Sequence, residues 1–145
     1  MKIRFFPLLI GIYLIFFLGI FFAYAQEIPS IAILPLSVRD EVDGYLGFYL
    51  RDLIKDVLDD MEQIEVIDNI LIDEMLRESK ISRNVVLVQS MAQVLGKRIG
   101  ADYLLSGSYR IRQLGDRERL VVSMRLFDLN QGAMIDLKST VFDFN

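Results

Sequence analysis

The chain has 145 residues, with 16 lysines and arginines against 20 acids, no cysteine, no histidine and no tryptophan. That composition excludes a disulfide framework and thiol chemistry, and it removes the commonest general base and metal ligand. The acidic balance also disfavours nonspecific binding to nucleic acid or to anionic membranes.

The first 25 residues differ from the rest. Lys2 and Arg4 are followed by an apolar run from Phe5 to Phe22, and Ala23-Tyr24-Ala25 sets small residues before Gln26. This is the pattern of a secretory signal peptide over 1–25. The alternative reading is a retained inner-membrane anchor, since 18 apolar residues reach the lower limit for a spanning helix. After cleavage, residues 26–145 form one domain's worth of chain with 14 basic residues against 20 acids, a net charge of −6. No cysteine is present to carry a lipid.

Ile31-Ala-Ile-Leu-Pro-Leu36 predicts a buried strand, with Pro35 near its end because proline cannot donate to a ladder. Ser37 to Gly44 reads as a polar loop. A helix is predicted from Tyr45 to Met61, with Leu46, Leu50, Leu53, Ile54, Val57 and Met61 on one apolar face. On that reading Leu53→Asp unfolds the domain. Ile64 to Ile67 predicts a second strand. A short helix follows over Ile70 to Ser79 with Asp68 or Asn69 as N-cap. Lys80 to Val86 is a connector. Gln89 to Arg98 predicts a third helix with Met91, Val94, Leu95 and Ile99 on one side, stopping at Gly100.

The last third predicts three strands, Asp102–Arg112, Arg119–Leu129 and Ala133–Phe142, joined at Leu114-Gly-Asp116 and Asn130-Gln-Gly132. In the first of them Tyr103, Leu105, Gly107, Tyr109 and Ile111 share a dry face, and Ser106, Ser108, Arg110 and Arg112 share a wet one. Gly107 marks a bulge or a close approach of the preceding helix. The expected fold is therefore an α+β, two-layer domain. Its mixed sheet has about five strands in the order β-α-β-α-α and then a three-stranded antiparallel meander, with helices mainly on one face.

The residue types that could carry chemistry fall in a few places along the chain. Gly96-Lys97…Gly100 lies between a helix and a strand, the reverse of a phosphate loop, and no Ser or Thr follows the lysine. Asp40 to Gly44, aligned as a calcium loop on Gly44, has Arg39 and Leu50 where acids are required. Asp59, Asp60, Glu62 and Glu65 read as a wet helix end, and Ser106 and Ser108 lack a base to activate them. No catalytic residue, cofactor or metal site is expected. Arg110, Arg112, Arg117, Arg119 and Arg125 are the one basic concentration and the candidate partner-binding residues; the plain alternative is a solvated strand face.

The segments Ile31–Leu36, Ile64–Asp68, Leu95–Ser108 and Val122–Gly132, in that order, resemble a superfamily of bacterial envelope domains. It comprises the TolB amino-terminal-like domain, the curli-secretion protein CsgG and the lipoprotein activators of penicillin-binding proteins. "GADYLLSGS" and "RLFDLNQG" are the most specific marks, and "ILIDEMLRES" looks closer to the CsgG side. The resemblance implies a periplasmic, non-catalytic module that docks other envelope proteins. Two features depart from it: the chain is too short for the extra membrane hairpins of CsgG-like pores, and it has no cysteine for acylation. Neither nucleic acid nor a cofactor is expected as a partner, membrane contact is expected only if the leader is retained, and homo-oligomerisation stays open. The rival readings are a periplasmic small-ligand sensor or carboxylate-only enzyme, and a subunit of an oligomeric envelope ring.

Overall fold

The structure, a computed structural model, describes residues 27–39, 45–82, 87–137 and 139–144. The predicted signal over 1–25, the acid cluster from Asp40 to Gly44 and part of the connector before Leu87 lie outside these residues. Ten elements follow in chain order. They are β1 (Ser30–Ile33), β2 (Ser37–Val38), α1 (Tyr45–Asp59), β3 (Glu65–Val66), α2 (Asn69–Glu78), α3 (Gln89–Ile99), β4 (Tyr103–Leu114), β5 (Arg117–Asp128), β6 (Ala133–Asp136) and β7 (Thr140–Phe144).

The strands form one mixed sheet in the order β3-β1-β4-β5-β6, with β2 also paired to β4 and β7 also paired to β5. Five strand positions thus hold seven strands, because two of them are interrupted. The first break falls at Pro35. Leu34 still donates its N–H to the Leu105 carbonyl at 2.9 Å, but Leu36 turns its N–H to the Gly47 carbonyl at 3.3 Å. The chain then rejoins β4 as β2, pairing Ser37 with Ser108 and Val38 with Tyr109. The loop expected from Ser37 onward therefore begins as a strand. The second break, between Asp136 and Thr140, splits the predicted third meander strand into β6 and β7 along one edge of β5.

The α+β class and the mixed sheet are as expected; the two-layer arrangement is corrected. α1 packs on the face carrying Ile31, Ile33, Leu105 and Tyr109. α2 and α3 pack on the opposite face over Ala32, Leu34, Leu104 and Phe127. The reason lies in the central strands. Ile31-Ala-Ile-Leu34 and Leu104-Leu105 are apolar at successive positions, so both faces of the sheet need cover there. Polar residues hold one face of β4 from Ser106 onward, but Ser108, expected on a wet face, is buried at 7% exposure, and Ser106 and Arg110 are half-buried.

In α1 the inward row is Leu46, Leu50, Ile54 and Leu58, with Gly47 and Arg51 buried beside it. Leu53, Val57 and Met61, expected in the core, are 43%, 60% and 50% exposed. Gly47 sets this rotation. A Cβ there would stand 2.1 Å from the Leu36 carbonyl oxygen, so only glycine allows the helix to lie this close to the strand. Leu53→Asp is accordingly no unfolding mutation. Val94 in α3 is likewise corrected: it is 63% exposed, and Ala92, Leu95, Gly96 and Ile99 are buried instead.

The caps follow the sequence. Asp68 Oδ1 accepts from the Ile70 N–H at 2.7 Å, opening α2. Gly100 closes α3 at φ 78°, ψ 30°, donating its N–H to the Gly96 carbonyl. Gly107 marks no bulge, since the β4–β5 register runs unbroken through its pairing with Met124. Its missing side chain leaves room for the Ser123 carbonyl and for Leu36 rather than for a helix.

Candidate functional site: an arginine and serine face of the sheet

Register decides which side chains share a face. In the β4–β5 ladder Ser106 stands opposite Arg125, Ser108 opposite Ser123, Arg110 opposite Val121, Arg112 opposite Arg119 and Leu114 opposite Arg117. Side chains alternate along each strand, so all five predicted arginines lie on the face that carries Leu104 and Phe127. α2 and α3 cover the Leu104–Phe127 end of that face. No described element covers the distal end, where Arg112 and Arg117 are exposed and Arg110, Arg119 and Arg125 are half-buried.

The parallel β2–β4 pairing adds a sixth cation. Ser37 shares the face with Ser108, and two residues on stands the exposed Arg39, whose N–H donates to the Tyr109 carbonyl at 3.0 Å. Sequence reasoning missed Arg39 because it placed the residue in a loop. The signal is a contact between strands seventy residues apart, which local pattern does not carry.

A cavity of about 260 Å³ opens between the covered and open ends of this face; Ser37, Arg39, Ser106, Ser108, Arg125 and Asp136 are among its lining residues. Its groups are partly engaged with one another. Ser37 Oγ donates to the Gly107 carbonyl at 3.2 Å, and the Ser123 and Ser139 hydroxyls lie 2.8 Å apart. Arg125 Nε donates to Asp136 Oδ1 at 2.9 Å. Arg110, Arg112 and Arg117 make no ion pair among the described residues. Guanidinium and hydroxyl donors thus dominate the surface. The Asp136 carboxylate in the cavity accepts from Arg125, and among the described residues no carboxylate is hydrogen-bonded to Ser106 or Ser108.

The motifs that carry the resemblance find a structural explanation at the other end of β4. Asp102 Oδ2 accepts from the Ser30 N–H at 2.9 Å and from its hydroxyl at 3.0 Å, while Oδ1 accepts from the Asn130 amide at 3.0 Å. The Ser30 N–H first, then the Asn130 amide and the Ser30 hydroxyl, hold the Asp102 carboxyl below its ordinary range. Asp128 Oδ1 accepts from the N–H groups of Asn130 and Gln131, shaping the turn into β6. "GAD" and "DLNQG" therefore tie the start of β1, the start of β4 and the end of β5 together.

A second polar cluster joins two layers. The buried Arg51 of α1 reaches Asp73 of α2 with both terminal nitrogens, at 2.8 and 3.3 Å, and lies over the Phe48 ring at 5.2 Å. It clasps α1 to α2, the helices on opposite faces of the sheet. Asp59, Asp60, Glu62 and Glu65 are exposed, and no metal-binding cluster of acids occurs among the described residues. Among those residues no helix is long and apolar enough to cross a membrane.

No family model matches this sequence, and no curated protein matches it. Solved structures do. The LpoB C-terminal domain from Salmonella enterica superposes with a TM-score of 0.54 at 12% identity, over 81% of this chain and 82% of that one. Lipoprotein GNA1162 from Neisseria meningitidis gives 0.57 at 16% identity, over 79% and 78%. The LpoB C-terminal domain from Escherichia coli gives 0.53 at 12% identity, over 81% and 83%. The fold is thus one shared with these domains.

Proposed function

We propose that this chain is an exported, non-catalytic protein-binding or assembly module of the bacterial cell envelope, in which residues 26–145 work as one periplasmic domain after removal of 1–25. It docks an acidic surface of another envelope protein through Arg110, Arg112, Arg117, Arg119 and Arg125, with Arg39 at the margin. The observation that carries this reading is the gathering of all five arginines on one sheet face, at the end no described helix covers. Three features support it. The leader has the export pattern. The fold is that of domains one of which is described as a lipoprotein. Among the described residues no carboxylate is hydrogen-bonded to a hydroxyl of the cavity, which suits recognition rather than bond making. Alignment with the penicillin-binding-protein activators and CsgG-like proteins belongs to the same reading.

Charged surfaces of this kind set orientation and encounter rate, and reversing them costs affinity steeply. The test is recovery of bound envelope proteins with the full chain and with Arg110→Glu/Arg112→Glu. The reading expects a partner captured by the first and reduced about tenfold or more by the second, at an unchanged melting temperature. Amino-terminal sequencing of the same sample is expected to begin at Gln26. Equal capture by both chains, or turnover of a substrate that depends on one carboxylate, would contradict the reading.

A further inference from the structure

The face of α1 turned away from the sheet carries an apolar ridge that the core leaves in water. Tyr49, Leu53 and Val57 recur every fourth residue along it and are 60%, 43% and 60% exposed, and Met61, 50% exposed, follows just beyond the helix end. Residues four apart form a ridge on a helix surface. This ridge is thus a continuous apolar line of one aromatic and aliphatic side chain per turn. Beside it lie Asp52, Asp56 and, in the turn that ends the helix, Asp60, also exposed; Asp52 accepts from the Asn69 amide at 2.9 Å and stands 3.6 Å from Arg51 Nε. Asp56 and Asp60 form no ion pair among the described residues. Lys55, the basic residue on the exposed side of the helix, is already engaged by Asp59, and that hydrogen bond raises its pKa.

The apolar ridge and the Asp56 and Asp60 carboxylates are a cost to the isolated chain. Carboxylates at i, i+4 repel one another, and large side chains in water return nothing to folding. Inward contacts come from the other row, Leu46, Leu50, Ile54 and Leu58. From this pairing we infer that the outer side of α1 docks an amphipathic helix of a partner protein, one with an apolar ridge flanked by lysine or arginine. Its apolar ridge fills the groove beside Tyr49, Leu53 and Val57, and its cations face Asp56 and Asp60.

Charge decides against the other occupants. Two copies of this helix packed ridge to ridge bring acid rows together, an arrangement that like charges disfavour. The arginine face of a second copy matches the acids but offers no apolar ridge to cover Leu53 and Val57. An anionic membrane surface attracts basic rows, not acidic ones. The site lies on the opposite side of the sheet from the arginines, so it is independent of the function proposed above and the two can be occupied together.

The experiment uses the full chain and two synthetic amphipathic helices that share one leucine ridge, the first flanked by lysine and the second by glutamate. Binding is read by fluorescence anisotropy, and self-association by sedimentation. The lysine peptide is expected to bind at least about tenfold more tightly than the glutamate peptide, with affinity falling as salt rises. Leu53→Asp/Val57→Asp, which leaves the core untouched, is expected to lose that binding while keeping its circular dichroism. Asp56→Lys/Asp60→Lys is expected to reverse the peptide preference. Equal affinity for both peptides, binding of neither, binding that survives Leu53→Asp/Val57→Asp, or a dimer that this variant dissolves would each overturn the inference.

Discussion

The two faces of this sheet share a backbone and differ in what they leave open. On one face α1 follows the sheet from Ile31 and Leu105 at one end to Tyr109 and Leu120 at the other. On the opposite face α2 and α3 bury Leu104 and Phe127 and stop, and the same two strands continue as serine and arginine. The difference shows how one pair of long strands serves two purposes. Where side chains on both faces are apolar, the strands are scaffold. Where one face turns polar, the scaffold continues beneath it on the other side and holds the polar groups in register. Ser106, Ser108, Arg110 and Arg112 are fixed because Leu105, Tyr109 and Ile111 behind them are packed.

That contrast can be broken at its strongest point first. Phe127 is 1% exposed in the α2–α3 core, and Phe127→Ala is expected to cost about 3–5 kcal/mol through transfer and cavity terms, read as a shift of the urea midpoint. Gly47→Ala attacks the other face. Its Cβ meets the Leu36 carbonyl oxygen, a backbone atom, at 2.1 Å. Overpacking of this kind costs about 1–3 kcal/mol, and chemical denaturation should show it with circular dichroism still helical.

A smaller effect separates the polar tie at the sheet's end from both cores. The Asp102 carboxyl titrates below its ordinary range in the folded chain, so its stabilisation is complete above the unfolded value, about 3.9, and is lost as pH falls through the lowered folded value. Asp102→Asn should lower the melting temperature at neutral pH and flatten its dependence on pH in the acid range. An unchanged acid limb would show that the Ser30 and Asn130 hydrogen bonds contribute nothing. Smallest of all, Leu53→Asp and Arg112→Glu should each move stability by no more than about 0.5 kcal/mol, since both side chains stand clear of the core. A large loss from either would place it in a core rather than on a binding surface.

Local chemistry made much of this visible in the sequence. Gly100 ends a helix because a left-handed residue costs least there, and Gly115 and Gly132, both at φ 65°, sit in the two predicted hairpin turns. The alternation Ser106, Ser108, Arg110, Arg112 placed those residues together before any coordinates. What stayed hidden depends on long-range contacts. α1 has apolar residues on two adjacent ridges, and a 3.6-residue period does not say which one meets the sheet. Gly47 decides it, and its meaning appears only against the Leu36 carbonyl. Arg39 joins the arginines only through the pairing of β2 with β4, and α1 separates from α2 and α3 only through the doubly buried Ile31-Ala-Ile run.

The most direct measurement places a photo-activatable cross-linking residue at position 112, and in a control at Lys97 on the exposed side of α3, in the full chain in living cells. The account predicts one discrete adduct with an envelope protein from position 112, none from position 97, and loss of the adduct when Arg110 and Arg117 are changed to Glu. No adduct from position 112, or the same adducts from both positions, would contradict it.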